Sequence, residues 1–174
     1  LDVFSYVGGW GIQAACAGAT QVTCVDSSSG AIDSVHHNAK INGLDNIETI
    51  EGDAFDALKA LCDEKEKFDI VVLDPPALIP RRRDQKAGEE AYARLNQLGL
   101  RLLDRDGLLV SASCSMHLSQ EKLTDIIRSS GRKIDRFVQL LEQGHQAPDH
   151  PIIPGIPETD YIKSCFVRSL TGFM

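Results

Sequence analysis

The sequence predicts an α/β fold: a doubly wound, mostly parallel sheet of about seven strands, with helices on both faces. Three observations carry that prediction. Short apolar runs of strand length alternate with stretches of helical period along the whole chain. The first strand feeds a glycine turn, Val7-Gly8-Gly9-Trp10-Gly11. Later strands stop on residues that carry chemistry, Asp26, Asp74 and Cys114, as happens at the ligand edge of an open α/β sheet.

The elements follow in order. Leu1-Asp2-Val3-Phe4 reads as a buried first strand, and Ile12 to Ala17 as a helix of small residues after the glycines. Gln21 to Asp26 is a second strand. Ser27 to Ser29 can cap the next helix, whose Ala31, Ile32, Val35 and Ala39 mark one apolar face, and Asn42-Gly43 closes it. Ile47 to Glu51 is a third strand and Ala54 to Cys62 a third helix. Phe68 to Leu73 is a continuous apolar run of the fully buried kind. Arg81 to Gly88 is polar without period and reads as a loop. Glu89 to Leu103 is helical, Gly107 to Ser113 a fifth strand, and Ser119 caps another helix. Lys133 to Leu140 and Tyr161 to Arg168 are late strands, one of them antiparallel, joined by a Pro-rich connection from Gln146 to Pro157.

No repeat, low-complexity tract or second domain interrupts this pattern, so residues 1–174 read as one domain. The first strand starts without a lead-in, and the expectation is that an N-terminal part is missing. No apolar run approaches the roughly 20 residues that span a bilayer, so no membrane partner is expected. Five cysteines, without a CxxC pair or metal-ligand spacing, read as reduced thiols of a cytoplasmic protein that holds no metal. A net charge of −7 does not suggest a nucleic-acid binder, apart from the local run Arg81-Arg82-Arg83 with Lys86 behind it.

Gly8, Gly9 and Gly11 lie where a ligand can approach bare backbone. Gly9 to Ala14 satisfies a G-x-G-x-x-A dinucleotide pattern, which a tight turn alone would also explain. Asp26, about 15–20 residues on, is placed to hold both ribose hydroxyls of an adenosine cofactor or to cap a helix. Asp53 can accept from an adenine amino group, with Ala54 and Phe55 lining the ring, or cap the following helix, or both. Asp74-Pro75-Pro76 is the most specific element. Two prolines cannot continue a ladder, so they hold a rigid turn at the carboxyl edge, where Asp74 can bind an amino group of an acceptor. Cys114 in Ser113-Cys114-Ser115 ends the neighbouring strand and faces the same crevice, as a nucleophile rather than a buried small hydrophobe.

On these residues the chain resembles the bacterial 23S rRNA cytosine-5 methyltransferases of the RlmI type. The matching stretches are Phe4-Ser5-Tyr6-Val7-Gly8-Gly9, Val25-Asp26, Asp74-Pro75-Pro76, Tyr92 with Asn96, Ser113-Cys114-Ser115 and Asp149-His150-Pro151. The resemblance implies a Rossmann-like class I methyltransferase fold and S-adenosylmethionine as cofactor, held by Phe4, Tyr6, Gly8, Gly9, Gly11, Asp26, Asp53, Ala54 and Asp74. It implies catalysis by Cys114 and Asp74 on RNA, with Pro75, Pro76, Arg81, Arg82, Arg83 and Tyr92 at the substrate. It also implies N-terminal RNA-binding domains, which fits the abrupt start and the acidic balance. Two departures are Ala77 and Ala93, where the family often has lysine.

The implied reaction is methylation of cytosine carbon 5, in large-subunit rRNA, through a thiolate adding to carbon 6. An amino-directed methyltransferase would follow the prolines with an aromatic residue for stacking, which Ala77 cannot supply. A small-molecule methyltransferase would leave Cys114 without a role. An NAD-dependent oxidoreductase shares the glycines and Asp26 but gives no reason for Asp74-Pro75-Pro76 beside a cysteine-bearing strand end.

Overall fold

The computed structural model describes residues 1–170; the last four residues of the expected domain, 171–174, lie outside them. Among the described residues seven strands form one sheet: β1 (Asp2–Val3), β2 (Val22–Asp26), β3 (Ile47–Glu51), β4 (Phe68–Leu73), β5 (Leu103–Ser113), β6 (Phe137–His145) and β7 (Lys163–Leu170). The helices are α1 (Gly9–Cys16), α2 (Ser29–Ile41), α3 (Ala54–Asp63), α4 (Gln85–Leu102) and α5 (Gln120–Arg132). The strand order is β3-β2-β1-β4-β5-β7-β6. The first five strands are parallel, and β7 runs antiparallel to both β5 and β6. The chain winds outward from β1 to β3, then returns beside β1 and winds the other way. The carboxyl ends of β1 and β4 therefore flank the crevice where a doubly wound sheet takes its ligand.

Local chemistry explains the elements. The Ser28 hydroxyl accepts from the Ala31 amide and starts α2, which buries Ala31, Ile32, Val35 and Ala39 and ends before Gly43 at φ +68°. Ser119 caps α5 in the same way through Lys122 N, and Leu123, Ile126 and Ile127 face inward. Helices α3, α4 and α5 pack side by side on one face, while α1 and α2 share the other. The main core lies under the first group, with Leu73, Leu95, Leu100, Leu109 and Leu123 fully buried. Each such side chain contributes about 1.5–3 kcal/mol relative to exposure.

Four expectations are corrected by tertiary structure. The run Phe68 to Leu73 is a strand but not a fully buried one, since Asp69 and Ile70 are exposed. Strand β1 pairs over two residues only, so it leaves the first half of β4 uncovered. The expected loop Arg81 to Gly88 instead coils as a 3₁₀ turn at Arg82–Asp84 that runs straight into α4. Asp84 fixes that turn by ion pairs to Arg81 at 3.0 Å and Arg83 at 3.9 Å. The expected strand from Lys133 begins only at Phe137. Residues 133–136 form the exit turn of α5, with Asp135 at φ +55° and the Ile134 and Arg136 amides both on the Gly131 carbonyl. The last strand is shifted to Lys163–Leu170 for a similar reason, because Gln146 holds the Tyr161 and Ile162 amides with its side chain.

Candidate functional site

The glycine turn is held open by an unusual backbone. Phe4 at φ +64° and Tyr6 at φ +49° are non-glycine residues in the left-handed region, followed by Gly8 at φ +85°. Such conformations cost about 1–3 kcal/mol each and persist only where surrounding structure enforces them. Asp26 supplies that enforcement. Its Oδ2 accepts from the Tyr6 amide at 2.8 Å and its Oδ1 from the Ser28 amide at 3.0 Å. The carboxylate thus clamps the turn to the end of β2 and keeps lone pairs for further donors. Gly8 begins α1 without a side-chain cap, and nothing within 4 Å faces Gly9, so the approach to the helix end is bare backbone. Gly11 differs. It is buried, donates its amide to Asp2 Oδ2 at 2.9 Å and packs on Cys24, so it faces the sheet rather than the crevice.

Asp53 lies just past β3 and is exposed. Its Oδ1 accepts from the Phe55 amide at 2.9 Å and the Asp56 amide at 3.2 Å, capping α3. Ala54 is part of the core, and the half-buried Phe55 ring carries the Arg94 guanidinium 5.1 Å from its centroid.

At the end of β4, Asp74 is exposed, Pro75 buried and Pro76 exposed. The Trp10 indole N–H donates to Asp74 Oδ2 at 3.2 Å, joining the glycine turn to the proline turn across the crevice. The half-buried Cys114 thiol donates to the Pro75 carbonyl at 3.9 Å. Asp74 and Cys114 therefore border one crevice. Burial pushes the Cys114 thiol above its ordinary value; a backbone hydrogen bond at Cys114 opposes this, the Asp74 charge adds to it, and the Lys163 charge opposes it.

Tyr92, expected at the substrate, is completely buried. Its hydroxyl bridges Ser113 Oγ at 2.8 Å and Ser115 Oγ at 3.0 Å, the residues on either side of Cys114. Ser113 Oγ also accepts from the Ser115 amide, and Ser115 Oγ from the Ile79 amide, both at 3.1 Å. Asn96 is buried below, bonded to the Tyr92 carbonyl. These residues form a floor that fixes the thiol and the loop after the prolines. Ala93 packs at the core and Ala77 is exposed.

Arg81, Arg82 and Arg83 are all exposed. Arg82 lines an open hollow of about 380 Å³ with Met116 and His117, just past Cys114. A cavity of about 710 Å³ includes the starts of β2, β3 and β4, with Val22, Glu48 and Ile70 in its wall. Leu1 and Asp2 also line it, as does Trp10, whose indole is bonded to Asp74. Among the described residues no cluster of His, Cys, Asp and Glu is arranged to hold a metal, and no helix is long and apolar enough to cross a membrane.

Three residues escaped the sequence reading. The sequence gives Trp10 only a place in the glycine turn and Asp2 only a place in the first strand. Asp2 is buried, and desolvation pushes its carboxyl up to about 6 against the Gly11 hydrogen bond that lowers it. Lys163 is buried beside Cys114 and carries no motif at all.

The chain is similar to several known proteins. Residues 1–127 match the family described as "Conserved hypothetical protein 95". The chain is 38% identical over 170 residues to the ribosomal RNA large subunit methyltransferase I of Klebsiella pneumoniae subsp. pneumoniae, covering 97% of this chain and 42% of that protein. It is 36% identical to the protein of that name from Escherichia coli O9:H4, covering 97% and 43%. The chain thus spans about two fifths of the length of these relatives. The solved protein SMU.776, complexed with S-adenosylhomocysteine (SAH), has a similar fold, with a TM-score of 0.82 at 22% identity over 96% of this chain and 44% of that one. The SAM-dependent methyltransferase from Agrobacterium tumefaciens gives 0.67 at 22% identity over 97% and 53%.

Proposed function

The chain belongs to the family described as conserved hypothetical protein 95, and from that premise we propose that it is the catalytic domain of an S-adenosylmethionine-dependent RNA methyltransferase. In finer terms, it forms 5-methylcytosine, in large-subunit rRNA, through Cys114. The observation that carries the reading is the Cys114 thiol on the carbonyl of Pro75, the residue that follows Asp74. The names of the relatives support the RNA substrate, and the SAH complex of a protein with the same fold supports the cofactor.

The residues fit the cofactor. Gly8 and Gly9 offer bare backbone at a helix end, and Asp26 offers carboxylate oxygens to a ribose. Phe4, Tyr6, Asp53 and Ala54 complete the wall, and Gly11 serves from behind by seating α1. When bound, S-adenosylmethionine supplies an electrophilic methyl group. Asp74 accepts hydrogen bonds from the exocyclic amine of a cytosine turned out of its stack. The Cys114 thiolate adds to carbon 6 and makes carbon 5 a nucleophile. Once carbon 5 is alkylated it loses its proton to a base, and the bond from sulfur to carbon 6 breaks, restoring the aromatic ring. Pro75 and Pro76 hold the rim, Arg81, Arg82 and Arg83 meet phosphates, and Tyr92 acts from below on the strand end. The exposed Ala77 has no ring to stack on a base, which disfavours an amino-directed reaction.

The test incubates the chain with labelled S-adenosylmethionine and unmodified rRNA, then digests the RNA to nucleosides. Label in 5-methylcytidine that disappears in Cys114→Ala, while SAH binding measured by calorimetry is kept, is the expected result. Label in another nucleoside, or undiminished label in Cys114→Ala, would overturn the cysteine chemistry.

A further inference from the structure

Lys163 is a buried lysine that the proposed chemistry leaves without a task. Its partner across the β5–β7 ladder is Ser113, the residue before Cys114. Its ammonium donates to the Ser115 carbonyl at 2.7 Å and the Leu118 carbonyl at 2.6 Å. The lysine therefore grips the loop that leaves Cys114 at both of its ends. Gripping two carbonyls does not require a charge, because a glutamine amide could donate to both. Burying an ammonium is costly unless its charge is compensated, and two backbone carbonyls supply only partial negative charge.

We propose that Lys163 is a positioning residue that supplies the fixed positive charge against which Cys114 ionises. This rests on the reading of Cys114 as the nucleophile. The thiol faces Asp74 from β4, Lys163 from β7 and the Tyr92 phenol from α4, while Lys163 faces Cys114 and Asp160. Burial holds the lysine below its ordinary value, and the Cys114 and Asp160 charges push it back up. Burial and Asp74 both hold the thiol protonated; a backbone hydrogen bond at Cys114 works the other way, and Lys163 is the charged side chain that does so too. An acceptor base that engages Asp74 offsets its negative charge, and the balance at sulfur then shifts toward the lysine. Thiolate formation is thereby coupled to occupancy of the crevice.

The test is the pH profile of Cys114 alkylation by iodoacetamide. Peptide mass spectrometry separates Cys114 from Cys16, Cys24, Cys62 and Cys165. In Lys163→Gln the midpoint moves to higher pH and the rate at pH 8 falls about threefold or more, while the plateau at high pH is kept. Lys163→Arg keeps the wild-type midpoint. An unchanged midpoint in Lys163→Gln, or a higher plateau at the same midpoint, would reduce Lys163 to a tether and overturn the proposal. If Lys163→Gln does not fold, the reciprocal measurement decides. The titration of Lys163, followed by carbon-13 NMR at Cε, falls to lower pH in Cys114→Ser, and an equal titration in both proteins would overturn the proposal. Methyl transfer that survives Cys114→Ala would sink the cysteine chemistry but leave the alkylation shift in place, so the two failures are distinguishable.

Discussion

Tyr92→Phe removes one oxygen atom from the floor beneath Cys114 and leaves the ring in place, so no cavity opens. The lost hydroxyl makes two buried side-chain bonds, at 2.8 Å to Ser113 Oγ and 3.0 Å to Ser115 Oγ. A buried hydrogen bond contributes about 0.5–1.5 kcal/mol net, and a group left wholly unpaired costs about 1–3 kcal/mol. Both serines keep one partner each, the Ser115 amide and the Ile79 amide, so the lower figure applies to each bond. The expected loss is about 1–3 kcal/mol. For a chain of this size each kcal/mol lowers Tm by about 2–4 °C, so thermal unfolding followed by circular dichroism should move down by about 2–12 °C. The same change frees the residues on either side of Cys114, and its alkylation at fixed pH should quicken. A Tm within about 1 °C of the wild type together with unchanged alkylation would refute the idea that Tyr92 holds the strand end.

Two further substitutions separate packing from ligand roles. In Gly11→Ala the new Cβ would stand 2.5 Å from Cys24 Sγ and 3.1 Å from Val22 Cγ1. Overpacking costs about 1–3 kcal/mol, against a gain of about 1 kcal/mol in helix propensity. Net destabilisation in urea is expected for Gly11→Ala but not for Gly9→Ala, which meets nothing within 4 Å; equal stability of the two would contradict this. Asp2→Asn tests the buried carboxyl. Between its unfolded value of 3.8 and its folded value of about 6, the native state keeps a proton that the unfolded chain has lost. Wild-type stability therefore falls as pH rises through that window and is level above it. The advantage of Asp2→Asn over wild type should grow by up to about 3 kcal/mol from pH 4 to pH 7, and a constant gap in urea titrations would remove the case for a desolvated carboxyl.

The edge residues were legible because parallel strands of a doubly wound sheet all end on one side. An acid or thiol at the last position of a strand has only one place to go. Asp26, Asp74 and Cys114 were found this way, and the two readings of Asp53 were a choice that capping geometry decides in favour of at least a cap. Tyr92 was harder. A tyrosine on an amphipathic helix gives no sign of whether its ring points under or over the neighbouring strand end, and burial put it below. Lys163 was invisible because its bond partner Ser115 lies 48 residues away in sequence. The contact depends on the register of β7 against β5, which no local period encodes. The late strands were misplaced by a few residues because Asp135 and Gln146 delay them through a turn and a side-chain bond, which apolar periodicity does not register.

The chain contains a single tryptophan, and that tryptophan is Trp10. The residue is 42% exposed and its indole N–H is tied to Asp74. All indole emission from this protein therefore originates at the carboxyl edge of β1 and β4. An indole bonded to a carboxylate changes colour and brightness when that carboxylate acquires another partner or when the ring loses water. The molecule is its own optical sensor. Adenosine ligands, an incoming base at Asp74 and the loosening of the glycine turn before global unfolding should each give a distinct signal from one ring, with no label added.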